Sequence, residues 1–66
     1  MIELLYEQGK IYKLSATQDL YIRSYKKLFQ ACLANYDTNN FIYSSWYKTV
    51  EDLNDFTLQH NIKLIF

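Results

Sequence analysis

Cys32 and His60 are the only cysteine and the only histidine in the chain, so nucleophilic or metal chemistry would have to be built on that pair. A nucleophile and its base need a third group to orient them, and no candidate stands out here. Read at helical spacing, each residue falls on the apolar stripe of its neighbourhood. A small buried thiol and a histidine at a helix C-terminus, where the helix dipole favours its charge, account for both. Glu51, Asp52 and Asp55 cluster, but a calcium loop needs alternating oxygen ligands around a glycine turn, so a solvated acidic face is the reading. Arg23, Lys26 and Lys27 form a basic patch in which the only acid at i,i+4 spacing is Asp19, four residues before Arg23. They are the candidate anion contacts. No glycine-rich loop exists to cradle a phosphate, Gly9 being the one glycine. These features point to a non-enzymatic protein with no cofactor and no metal.

Composition narrows the function further. Seven basic and seven acidic residues cancel, which leaves no long-range attraction for nucleic acid or an anionic membrane. The balance is uneven along the chain: residues 1–36 are net positive and residues 37–66 net negative, so the molecule is dipolar. A chain of 66 residues is one domain near the lower size limit for independent folding. With a single thiol it has no internal disulfide to help, and one thiol fits a reducing compartment. What it has instead is an apolar fraction of 50% with seven tyrosines, four phenylalanines and a tryptophan, each able to bury a large area. Self-association is the second available source of stability, and a homo-oligomer is expected. No secretion signal and no apolar run of membrane-spanning length is visible, so the expectation is a cytoplasmic protein.

The elements that would position these residues read as ββααβ. Ile2 to Leu14 suits a β-hairpin in which Gly9 takes the left-handed position of a three-residue loop. That register pairs Leu4 with Tyr12 and Glu3 with Lys13, and turns Ile2, Leu4, Tyr6, Tyr12 and Leu14 inward. Ser15 to Gln18 fits a capping box opening a first helix. Along it Tyr21, Ile22, Tyr25, Leu28, Phe29, Cys32, Leu33 and Tyr36 share an arc of about 140°. Asn35 to Asn40, rich in Asx residues, is a turn. Phe41 to Tyr47 has strand propensity, yet Ile42, Trp46, Val50, Leu53, Thr57 and His60 keep helical phase, which predicts a second helix from Phe41 to His60. The alternative ends a strand near Tyr47 and starts a helix at Thr49, since Thr49-Val50-Glu51-Asp52 is an acceptable cap sequence. Asn61 closes the helix in the left-handed region, and Ile62 to Phe66 alternates as a last strand with Ile62, Leu64 and Phe66 inside. The expected fold is α+β: a three-stranded antiparallel sheet covered on one face by an αα-hairpin.

On that fold Leu5, Ile11 and Ile65 meet on the outer face of the sheet, ringed by Glu3, Glu7, Lys13 and Lys63. An apolar centre with a charged rim is the anatomy of an interface. Tyr43, Tyr47 and Leu58 make a second candidate at the margin of the second helix. The expected function is a protein-interaction module that binds another protein and self-associates through the outer sheet face. The bias toward Asn, Ile, Lys, Tyr and Phe, with one Arg and no Pro, suits an AT-rich coding sequence and an accessory or phage-type regulator or inhibitor. The alternative is a small nucleic-acid-binding regulator that uses the basic face of the first helix, although specific nucleic-acid domains carry larger basic stripes than this.

Overall fold

The structure, a computed structural model, describes residues 1–66 and holds six strands and one short helical stretch. Strands β2 (Ile11–Lys13), β3 (Gln18–Tyr25), β4 (Leu28–Asn35) and β5 (Asn40–Tyr43) form an antiparallel sheet in chain order. Strands β1 (Ile2–Leu5) and β6 (Ile62–Ile65) form a separate parallel pair that ties the two ends of the chain together. Between β5 and β6, 3-10 turns at Glu51–Leu53 and Leu58–His60 flank the single helix α1, Asn54–Thr57. The expected three-stranded sheet with an αα-hairpin is therefore replaced by four- and two-stranded sheets with one short helix.

The expected first helix is the β3–β4 hairpin. Its alternation is disguised because large apolar residues occur on both faces: Leu20, Ile22, Phe29, Ala31 and Leu33 point inward, while Tyr21, Tyr25, Leu28 and Cys32 point outward among Asp19, Arg23 and Gln30. A period of two with apolar residues on both faces is easily mistaken for a helical stripe. The turn adds to the disguise. Tyr25 pairs with Leu28, so Lys26 and Lys27 are the two central residues, with φ of 52° and 64°. Two-residue hairpin turns with both central φ positive normally use Asn-Gly, and two lysines give no such signal. The capping-box residues make a bend instead, with the Thr17 N–H donating to Ser15 Oγ at 3.3 Å and the Ser15 N–H to the Gln18 carbonyl at 3.2 Å.

The expected second helix is corrected in the same way. Its first part is β5, and Tyr47 continues the pairing with Phe29 through two bonds of 2.7 and 2.8 Å. Helical structure begins after Thr49, whose Oγ1 accepts from the Asp52 N–H at 3.3 Å. The Asx-rich turn does form: Asn35 Oδ1 accepts from the N–H groups of Asp37 and Thr38, and Asn39 sits at φ 55°. Asn61 is left-handed at φ 60°, as a helix terminator should be.

The expected β1–β2 hairpin is absent. Gly9 does adopt φ 79°, but Glu3 lies opposite Lys63 and Lys13 opposite Asp19. The loop is held by Tyr12, whose hydroxyl accepts from the Glu7 N–H at 2.7 Å and donates to the Leu5 carbonyl at 3.1 Å. Tyr12, Leu20, Ala31 and Leu33 from the four-stranded sheet meet Leu53 and Phe56 from the helical stretch and Ile62 and Leu64 from β6 in one core. Leu4 and Leu14 pack against it, whereas Ile2 and Phe66 stay exposed. Asn54 locks the helical stretch to β6: its Oδ1 accepts from the Leu64 N–H at 2.9 Å and its Nδ2 donates to the Leu64 carbonyl at 3.2 Å.

Candidate functional site: the outer face of the four-stranded sheet

All of the core lies on one side of the four-stranded sheet. Its other side has no covering layer and is built from Ile11 on β2, Tyr21, Arg23 and Tyr25 on β3, Gln30, Cys32 and Ala34 on β4, and Phe41 and Tyr43 on β5. Cys32 and Ala34 are wholly buried even so. They are small, and the register sets Cys32 between Tyr21 and Tyr43, and Ala34 between Asp19 and Phe41, so the larger side chains close over them. Ile11, Tyr25, Tyr36, Phe41 and Tyr43 remain exposed around them.

A β-bulge places the tryptophan on this face. The Ser44 N–H bonds to the Ala31 carbonyl at 2.9 Å, and the next paired residues are Tyr47 and Phe29, so Ser45 and Trp46 together oppose Gln30 alone. An extra residue of this kind re-aims the side chains that follow it. Without it Trp46 would face the core and Tyr47 the solvent; with it, Tyr47 packs on the core and Trp46, 39% exposed, joins the outer face. The bulge is fixed by buried polar groups. Gln30 Nε2 donates to the Ser44 carbonyl at 3.0 Å, the Ala31 N–H donates to Ser44 Oγ at 2.8 Å, and Ser44 Oγ donates to the Ser45 carbonyl at 2.8 Å.

The same glutamine holds the arginine. Arg23 Nε donates to Gln30 Oε1 at 2.8 Å, and the guanidinium carbon lies 5.5 Å from the Tyr43 ring centre and 5.4 Å from that of Trp46. Both distances are within cation–π range. The Nη groups of Arg23 have no hydrogen-bond partner in the protein, and the molecule's one ion pair, Lys10 to Glu7 at 3.0 Å, is elsewhere. Arg23 is thus held by one buried amide and two rings, with its two-nitrogen fork free for a planar anion.

Two of the three tyrosines with raised phenols, Tyr21 and Tyr36, lie on this face; the third, Tyr6, lies beside Phe66 at the other sheet. The Tyr21 phenol is raised well above its ordinary 10.0, first by its interaction with the Cys32 side chain opposite it, then by burial and by Tyr43. Local desolvation of the phenol by its neighbours, then the Asp19 carboxylate, raises Tyr36 although its ring stays exposed. Tyr21 and Tyr36 both stay neutral at physiological pH.

The remaining candidates divide among several surfaces. Leu5 and Ile65 are directly opposed in the β1–β6 pair, but Ile11 belongs to the other sheet, so the three are not neighbours on one sheet. Tyr43 and Tyr47 point to opposite sides of the sheet, and Leu58 lies on the 3-10 turn before β6. Arg23, Lys26 and Lys27 occupy one end of the β3–β4 hairpin, with Lys26 Nζ 5.4 Å from the Tyr25 ring centre. Cys32 is on the outer face, whereas His60 packs 4.9 Å from Phe56 on the core side, which separates the two by the sheet. Sequence reasoning missed Gln30, Ser44 and the exposure of Trp46. Gln30, the one polar residue inside the apolar run of residues 28–34, was the available signal.

No family model, curated protein or solved structure matches this chain.

Proposed function

We propose that the protein is a binding module that recognises another protein through the outer face of its four-stranded sheet, with Trp46, Tyr43 and Arg23 as the anchor. The observation that carries this reading is the arginine fork held by Gln30 and flanked by the two rings. Trp, Tyr and Arg are the residues that dominate binding energy at protein interfaces, and a group already fixed in its bound geometry loses little entropy on docking. The free fork selects a partner that presents a carboxylate beside an apolar side chain. No step of this reading calls for catalysis, and the role that suits it is that of a small regulator or inhibitor acting by occupancy.

A second reading, nucleic-acid binding, is favoured by one observation: Tyr21, Tyr25 and Tyr43 share the outer face with Arg23, and Lys26 and Lys27 stand at its end. Aromatic side chains beside basic ones can stack bases and track phosphates. The zero net charge weighs against it. Partner capture from the native host with wild-type protein and Trp46→Ala, identified by mass spectrometry with and without nuclease, tests both. A protein retained by the wild type and lost with Trp46→Ala supports the first reading. A nuclease-sensitive, salt-sensitive complex lost on changing Arg23, Lys26 and Lys27 to Glu replaces it with the second.

A further inference from the structure

The two sheets have four outer edges, and three are closed. On β6, both backbone groups of Leu64 are taken by the Asn54 amide. On β1, the outward Leu5 carbonyl accepts from the Tyr12 hydroxyl, and Glu3 adds a charge beside it. β2 is three residues long and carries Lys13. Short strands, edge charges and covering groups are how folded proteins prevent strand addition.

β5 is also short, but it has neither an edge charge nor a covering group. All four of its residues are exposed, and no charged side chain occurs from Thr38 to Tyr47. Because the Ser44 N–H faces Ala31, the alternation of an antiparallel ladder turns Ile42 toward β4 and directs the N–H and C=O groups of Phe41 and Tyr43 outward. Ile42 is also the inward-facing residue of β5, yet it is 38% exposed, since the core layer ends before it.

We infer that β5 pairs with β5 of a second copy, antiparallel about a two-fold axis through Ile42. The edge is complementary to itself. In this register Phe41 lies opposite Tyr43 of the partner subunit, so the two outward-facing residues of each strand exchange both backbone bonds, four in all. Ile42 meets its own copy on the core side, where each covers the other. On the outer side the aromatic pair from the two subunits extends each Arg23 site with a ring from the partner. No like charges are brought together, and the two four-stranded sheets become one. Two identical anchors then lie on a single continuous face, which suits a partner with repeated or paired docking segments.

The test is mass by light scattering across a dilution series, with amide hydrogen exchange on the same samples. The wild type is expected at twice 8.0 kDa at about 100 µM, dissociating on dilution, with the Phe41 and Tyr43 amides protected only in the dimer. Ile42→Lys and Ile42→Glu are each expected to be monomeric with unchanged circular dichroism, and their mixture to restore the dimer mass. A wild-type monomer at that concentration, free exchange at Phe41 and Tyr43, or a dimer that persists in Ile42→Lys each overturns the inference. Exchange on the wild type decides the matter even where a substitution unfolds the chain. The two readings fail separately: loss of partner capture in Trp46→Ala leaves the dimer intact, and Ile42→Lys removes the second subunit's ring but keeps Arg23, Tyr43 and Trp46 of one chain together.

Discussion

At the scale of single residues, Trp46 carries the clearest departure from a helical reading. Helical phase puts it in a core, where truncation would cost about 3–5 kcal/mol. The bulge at Ser45 and Trp46 puts it at the surface instead. Trp46→Ala is therefore expected to keep the fold at a cost of about 1 kcal/mol, and the wild-type indole to be freely quenched by acrylamide. A blue-shifted, quencher-protected emission would contradict this. No residue type marks the bulge; it arises where the Gln30 side-chain amide donates to the Ser44 carbonyl across the ladder, a contact between positions fourteen apart. Tyr21 gives a second test. Its raised phenol is neutral in the folded protein, so its contribution to stability is full below about pH 10 and is lost as the pH rises through the unfolded value toward the folded one. The melting temperature is expected to fall above pH 10, and less steeply in Tyr21→Phe. Identical alkaline slopes would remove Tyr21 from the explanation.

At the scale of elements, the last strand, the Asx-rich turn, the helix stop at Asn61 and the left-handed Gly9 were legible because each depends on local chemistry. The β3–β4 hairpin was not. Its outer face interleaves Tyr21, Tyr25, Leu28 and Cys32 with Asp19, Arg23 and Gln30, which blurs the alternation, and its turn uses two lysines where the backbone favours Asn and Gly. Left-handed backbone at a residue with a Cβ costs about 1–2 kcal/mol. Replacing Lys26-Lys27 with Asn-Gly should therefore raise stability by about 1 kcal/mol or more, read as an increased denaturant midpoint with unchanged slope. Unchanged or reduced stability would show that the lysines are not strained. Should the same change weaken partner binding, the strained pair is kept for recognition, a trade seen at functional sites.

At the scale of the whole molecule, the decisive contacts join distant parts of the chain. The β1–β6 pairing closes the chain from end to end, and its competitor, a local β1–β2 hairpin, buries the same Leu4, Tyr12 and Leu14, so periodicity alone does not choose between them. The choice falls to β6, whose Ile62 and Leu64 complete the core between the helical stretch and the large sheet. The consequence for function is that an aromatic face designed by pattern as core becomes surface, and the apolar patch of Leu5, Ile11 and Ile65 is divided between two sheets. The direct measurement is the affinity of the captured partner for wild type, Arg23→Gln, Trp46→Ala and Leu5→Lys by titration calorimetry. Losses of about 30-fold or more in the first two variants, with Leu5→Lys unchanged, are the predicted result. Wild-type affinity in Arg23→Gln and Trp46→Ala, with loss in Leu5→Lys, would contradict it and move the binding surface to the parallel pair.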